Sequence, residues 1–436
     1  MKIAYICTDN GVPVLGDKGS SVHVREFSNA LVKLGHEVRI YATSATSESA
    51  VSLNANTTDA PLTILAPSEP TRNTARLLAA ALARFDPQKD HKHLYSEVLQ
   101  ILTDPEFIHA AQPLIDDWRP DLIIARHTLF SAAGLTLAHS QGCPCVLEVN
   151  APLVEERHRY WDLTLVREAE QSERNVLPAA DLLLAVSEGV RAYLLRNGVS
   201  RERIFVQPNG VNPLLFHPKV DDTPIRRRYG LENQLVIGFS GSLKPWHGVD
   251  MLLRAFASLY HISRRRQKDG DADLHLLIVG DGPQRKPLEQ LAGKLKVNDG
   301  VTFTGAIAHD DIPAYLAAMD IAVAPYLVSD GFYFSPLKIM EYLAMGRAIV
   351  APRLGQIPSL LQAANGPCGL LYTPDDQHEL AAALLRLSRE TELRKRLGTS
   401  AAAQARRHAS WQAIAHEIVT RAIVESPKVV LEARAV

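Results

Sequence analysis

Residues 334–350 read Phe-Ser-Pro-Leu-Lys-Ile-Met-Glu-Tyr-Leu-Ala-Met-Gly-Arg-Ala-Ile-Val, a pattern suited to binding an anion. Pro336 fits the opening of a helix, Gly346 its end, and Ala348 to Val350 the strand that follows. A helix begun there leaves the amides of Leu337 and Lys338 without intrahelical partners and aimed at an anion. Glu341 lies one turn on, near the same face, and an ionised carboxylate can accept from both hydroxyls of a ribose. One helix start thus offers groups for the phosphate and the ribose of a single nucleotide. This is the most specific signal in the chain.

Two glycine-rich turns are weaker signals. Gly16-Asp17-Lys18-Gly19-Ser20-Ser21 precedes a helical stripe of Val24, Phe27, Leu31 and Leu34. Its small residues let the backbone approach a phosphate, although a plain strand–helix turn reads the same way, and no Gly-Lys-Ser/Thr triplet makes it a Walker A loop. Gly280-Asp281-Gly282-Pro283 follows an apolar run, but Arg285 stands where a dinucleotide fingerprint needs a third small residue, which disfavours a dehydrogenase. Asp271-Ala272-Asp273 mimics a metal-binding D-x-D in a polar loop, and Cys143-Pro144-Cys145 invites a metal or redox reading. No second cysteine pair accompanies the latter, and strand entry explains it better. No metal site is expected.

The elements that must position these residues alternate. Apolar runs at Ile3–Cys7, Val38–Ala42, Leu62–Leu65, Asp121–Ala125, Cys145–Val149, Leu182–Val186 and Ile204–Gln207 read as strands. So do Leu235–Phe239, Leu274–Val279, Val301–Thr304, Ile321–Ala324, Ala348–Ala351 and Gly369–Tyr372. Most are apolar on both faces, as a parallel sheet covered by helices requires. Helical stripes lie between them, and the pattern runs twice, with a break near Pro213–Tyr229. The expected fold is α/β, with two doubly wound domains facing across a cleft. The domains are placed at 1–218 and 219–410, with 411–436 a C-terminal helix that could cross back to the first. Thr43–Asp117 fits poorly and reads as a helical insert that packs on its domain or shapes an acceptor site. Ser263–Asp271 reads as a solvated basic loop.

Composition closes off other classes. The chain has 436 residues, 46% hydrophobic and 22% charged, enough for two large cores. Residues 1–218 carry 20 basic and 25 acidic side chains, a balance of −5, which leaves 27 and 23, or +4, for residues 219–436. Neither half has the concentrated basic face of a nucleic-acid protein, and the +4 suits a half that binds a small anion. The 4 cysteines are too few to staple such a chain. No apolar run reaches the ~18 residues of a membrane span, and Met1–Cys7 reads as a strand, not a signal peptide. The expected location is the cytoplasm, with docking on the inner face of a membrane left open.

The ordered motifs resemble the GT-B glycosyltransferases, and within them glycosyltransferase family 4. The resemblance runs over nearly the whole chain: Gly19 and Ser20 before His23-Val24, Leu34-Gly35-His36-Glu37-Val38, Pro120-Asp121, Pro208-Asn209-Gly210-Val211, Gly241 to Gly248, Val279-Gly280-Asp281-Gly282-Pro283, Phe303-Thr304-Gly305 and Glu341 to Gly346. It implies that a nucleotide sugar binds mainly to the C-terminal domain and an acceptor to the N-terminal one. Transfer would retain anomeric configuration without a metal or other cofactor. Glu341 would hold the ribose. The amides of Leu337 and Lys338, after Ser335 and Pro336, would meet the diphosphate, with Gly19 and Ser20 reaching it from the other domain. Backbone at Gly305, Ala306 and Ile307 would meet the base.

Five positions depart from the family pattern. Tyr333 stands where the family usually has a Glu at the sugar hydroxyls. Ser242 and His247 take the places of the usual diphosphate Arg and Lys, and Asn150 that of the active-site His. Asn212 replaces an Asp that often follows the Asn-Gly-Val turn. Lys244, two residues beyond Ser242, is the nearest lysine able to reach a diphosphate, and His247 can donate one ring N–H. Asn150, Lys244 and His247 are therefore the expected catalytic residues. The reading is transfer of a sugar from a nucleoside diphosphate to a glycan, lipid-linked or small-molecule acceptor. A nucleotide-sugar epimerase of the same fold would need acid/base groups that Tyr333 and Asn150 supply poorly. A transferase reduced to binding its donor is a third reading.

Overall fold

A computed structural model describes residues 1–16, 18–46, 57–85, 91, 93–160, 163–266, 273–328 and 332–425. The chain forms two compact units. One comprises Met1–Pro208, Tyr333–Ser335 and the chain from Trp411; the other comprises Asn209–Phe332 and Pro336–Ser410.

The first unit is built on strands β1 (Lys2–Cys7), β2 (Glu37–Ala42), β3 (Leu62–Ile64), β4 (Leu122–Arg126), β5 (Cys145–Val149), β6 (Leu182–Ala185) and β7 (Ile204–Val206). They form one parallel sheet in the order β3-β2-β1-β4-β5-β6-β7. The second unit has β8 (Gln234–Ser240), β9 (Asp273–Val279), β10 (Val301–Phe303), β11 (Ile321–Val323), β12 (Ala348–Pro352), a short hairpin of β13 (Gln362–Ala363) and β14 (Gly366–Pro367), and β15 (Gly369–Tyr372). Its parallel sheet runs β10-β9-β8-β11-β12-β15. Each unit is thus a Rossmann-like doubly wound sheet. Every expected strand is present, its ends within one residue of the apolar run; among the described residues only the β13–β14 hairpin has no forerunner in the sequence pattern.

The double-sided burial follows from the alternation. Along β8, Leu235, Ile237 and Phe239 enter one buried cluster and Val236 the other; along β12, Ala348 and Val350 oppose Ile349 and Ala351. In each sheet the strand order reverses beside the first strand, between β1 and β4 and between β8 and β11. The carboxyl ends of those strands leave the crevice in which open α/β sheets take ligands.

Some boundaries differ from the sequence reading. Residues 209–218, expected in the first domain, pack with the second unit because Val211 and Phe216 are buried in its core. Ser263 and its basic neighbours are the last turn of the helix Val249–Arg266, not a loop; Arg264 bonds the Tyr260 hydroxyl one turn back at 3.1 Å. Asp17, Asp271 and Ala272 lie outside the described residues, so the D-x-D reading has only Asp273, the first residue of β9, within them. No helix among the described residues is long and apolar enough to cross a membrane.

The helix Leu337–Ala344 ends against a close backbone crossing. A Cβ on Gly398, in the helix Thr391–His408, would lie 2.2 Å from the carbonyl oxygen of Gly346. Backbone cannot yield as a side chain can. Gly398→Ala should therefore lower stability by about 1–3 kcal/mol, read as an earlier urea midpoint. An unchanged midpoint would mean that the two helices separate freely.

Candidate functional site

The site of the second unit begins where β8 ends. Gly241 holds φ +141°, and a Cβ there would meet Lys338 Nζ at 2.9 Å. The neighbouring β9 turn clamps this loop through backbone. Gly241 N donates to Val279 O at 2.9 Å, Leu243 N to Asp281 O at 2.9 Å, and Gln284 N to Leu243 O at 3.0 Å. A Cβ on Gly280 would sit 2.1 Å from the Gly241 carbonyl. The Gly280-Asp281-Gly282 motif is thus explained by close loop-to-loop packing. Gly280 also donates to Gly305 O at 3.1 Å, which joins Gly305 to the same cluster, with Ala306 exposed and Ile307 half-buried beyond it.

The helix Leu337–Ala344 starts at Pro336 without a side-chain cap. Ile339 N bonds Pro336 O at 3.1 Å, while the amides of Leu337 and Lys338 belong to the first turn and have no intrahelical acceptor. The Tyr342 hydroxyl pins the helix to two strand ends. It accepts from Ser240 N at 2.8 Å and donates to Val323 O at 3.4 Å. Lys338 thereby lies against the β8 loop, with Glu341 one turn along the same helix. Lys338 is 8% exposed. Its Nζ lies 4.2 Å from the centroid of Phe239 and 4.9 Å from that of Tyr326, and no acceptor among the described residues reaches it. Burial lowers the Lys338 pKa to about 7, partly offset by Glu341, and burial raises that of Glu341 to about 7, partly offset by Lys338.

His247 was expected as a second cation, and its surroundings oppose that. Burial, and then the charge of Lys338, lower its pKa to about 3. Its ring packs at 5.3 Å from Tyr326, and Nδ1 bonds the Ser242 carbonyl, so the neutral ring donates there and shapes the loop. Ser242 is exposed, and the Lys244 ammonium lies 5.9 Å over the Trp246 ring. Ser242, Lys244, His247, Lys338 and Glu341 therefore gather at one loop–helix junction, with Pro336 and Leu337 at its helix end.

The remaining expected residues pack in the first unit. Gly19 and Ser20 open the helix Gly19–Lys33 after β1. Asn150 directly follows β5, and its amide nitrogen donates to Glu148. Glu148 also takes Arg126 at 3.2 Å, His23 at 2.7 Å and the Tyr5 hydroxyl at 2.9 Å. Its burial alone would raise the pKa; His23, Arg126 and Asn150 outweigh it and hold the carboxyl at about 2. Tyr333 and Ser335 are buried, and Ser187 Oγ donates to the Tyr333 carbonyl at 2.6 Å. The sequence reading missed the Lys338 side chain, its aromatic neighbours and the Glu148 hub. The Lys338–Glu341 spacing of three on one helix face was the available signal; the aromatic box and the hub unite distant segments and left none.

The Lys338–Glu341 pair predicts a pH dependence. Glu341, raised in the folded chain, binds its proton more tightly than in the unfolded chain, so stability falls as pH rises from its ordinary value towards about 7. Lys338, lowered to about 7, binds its proton less tightly than unfolded, so stability recovers from there towards the ordinary lysine range. The wild-type thermal midpoint minus that of a Lys338→Met/Glu341→Gln double variant should therefore pass through a minimum near neutrality. A flat difference would show that the pair is not buried as charges.

Comparison with known proteins bears on the family and the fold. Residues 18–213 match the description Glycosyltransferase Family 4, and residues 234–390 match Glycosyl transferases group 1. The chain is 28% identical to the MMP alpha-(1->4)-mannosyltransferase of Mycolicibacterium hassiacum, over 92% of this chain and 93% of that one. It is 30% identical to the D-inositol 3-phosphate glycosyltransferase of Corynebacterium efficiens, over 68% and 70%. Among solved structures, Anabaena HepE matches with a TM-score of 0.69 at 19% identity, over 96% of this chain and 99% of that one. Two parallel Rossmann-like sheets, both matched segments and these relatives together make the chain a member of glycosyltransferase family 4, with the GT-B fold.

Proposed function

We propose that the chain transfers a sugar from a nucleoside-diphosphate sugar to an acceptor hydroxyl or amine, with retention of configuration and without a metal. The observation that carries this reading is the start of the helix Leu337–Ala344, where first-turn amides, a buried ammonium and a carboxylate stand together beside the β8 loop. Phosphate suits the amides and the cation, and ribose hydroxyls suit Glu341. HepE has been solved with UDP, with UDP and glucose, and with UDP-glucose, which favours this class of donor.

The barrier lies in breaking the anomeric C–O bond while negative charge gathers on the departing diphosphate. Amide dipoles and a cation aimed at that charge bind it more strongly as it develops. Each charge-assisted hydrogen bond contributes about 1.5–3 kcal/mol, so a few of them do the work a metal does elsewhere. Lys244 is placed to add charge from the loop, and His247 to hold the loop. Asn150, which follows β5 and donates to Glu148, is the residue we assign to the reacting sugar.

A panel of nucleotide sugars tests the donor, with and without EDTA. At least one nucleoside diphosphate should bind, and transfer should survive the chelator; failure of all of them to bind would sink the reading, and binding without hydrolysis or transfer across a broad acceptor screen would leave a donor-binding protein. Glu341→Gln should weaken donor binding by about 1.5–3 kcal/mol, and the bare nucleoside should lose affinity too, since it carries the same ribose. Unchanged affinities would remove Glu341 from the site.

A further inference from the structure

We propose that the side chain of Lys338, and not its amide alone, is the anion subsite that takes a phosphate group of the nucleoside diphosphate. The proposal rests on the donor reading above and adds a residue role to it. The two loop positions expected to carry cations do not supply them: Ser242 has no charge, and the ring of His247 is engaged with the Ser242 carbonyl. Lys338 is the cation at that place. Its Nζ stands between the faces of Phe239 and Tyr326, at 4.2 and 4.9 Å, directly below Gly241.

The surroundings of Lys338 suit an anion. Aromatic faces favour a cation but accept no conventional hydrogen bond, so they hold an ammonium without saturating its donors. A buried polar group left without a partner is costly, and native proteins keep few of them without a reason. The absence of a side chain at Gly241 keeps the ceiling of the box thin, since a Cβ there would fall 2.9 Å from Nζ. The first-turn amides of the same helix are oriented for the same charge. Residues three apart on a helix stand about 5–6 Å apart at Cβ, so Lys338 and Glu341 can take the first phosphate and the ribose of one nucleotide.

The test measures binding of UDP, GDP and ADP, and of uridine, guanosine and adenosine, to the full chain by calorimetry. Lys338→Met fills the box without the charge. It should lower affinity for the diphosphate that binds wild type by about 10- to 100-fold and leave the matching nucleoside within about twofold. Equal losses for both, or none, overturn the role of Lys338 while the donor reading stands. No binding of any diphosphate to wild type overturns both. A second measurement needs no variant. At about pH 8 a Lys338 held near 7 is mostly neutral, and an arriving phosphate restores its proton. Glu341 on the same helix is then ionised, Tyr326 is raised by burial and stays neutral, Lys244 is a loop lysine, and His247 at about 3 is too far below to respond. Calorimetry in buffers of different ionisation heat should show proton uptake with the diphosphate and none with the nucleoside. Equal proton exchange for the two ligands would defeat the proposal.

Discussion

A buried ammonium enclosed by ring faces, with no acceptor among the described residues, is the constraint around which the second unit's loops are arranged. The Tyr342 hydroxyl bonds the ends of β8 and β11 and so fixes the helix that carries Lys338. Phe239, at the end of β8, and Tyr326, just after β11, supply the faces. Gly241 lets the chain turn over the cation, and the β9 turn holds Gly241 in place through backbone bonds. β8 and β11 end on either side of the point where strand order reverses, and β9 lies next to β8. The parallel sheet therefore does more than provide a core: it brings four otherwise distant segments to one charge.

The first unit handles a buried charge in the opposite way. Glu148 is surrounded by His23, Arg126, Tyr5 and Asn150, and its two oxygens are both engaged. Such a carboxylate is held ionised and serves to tie together β1, β4, β5 and the helix Gly19–Lys33. Lys338 has little to hold it ionised except rings and a neighbouring carboxyl that is itself poorly solvated. A saturated buried charge marks architecture. An unsaturated one beside a helix start and a glycine turn marks a place for a ligand.

Departures from the family pattern gain a physical sense from this contrast. With Ser242 uncharged and His247 neutral, Lys244 is the charged side chain of the loop after β8, and Lys338 on the neighbouring helix stands beside it. Keeping His247 neutral is part of the same arrangement, since two adjacent cations in a buried box would repel.

Legibility divides along the range of the forces involved. Thirteen strand runs, their parallel class and the helix start before Glu341 could all be read from the sequence, because two-sided burial and helix capping leave local patterns. The ribose candidate Glu341 and the loop containing Ser242, Lys244 and His247 were likewise visible by type and spacing. The protonation state of His247 was not, nor was the direction of the Lys338 side chain, because both depend on burial against Phe239 and Tyr326, which lie 87 residues apart along the chain. The fate of residues 209–218 was also a tertiary decision, settled by where Val211 and Phe216 found a core. Sequence by itself determined the alternating elements and the presence of a helix start with free first-turn amides; only the folded sheet, by setting distant side chains in low dielectric beside one another, decided which groups there carry charge.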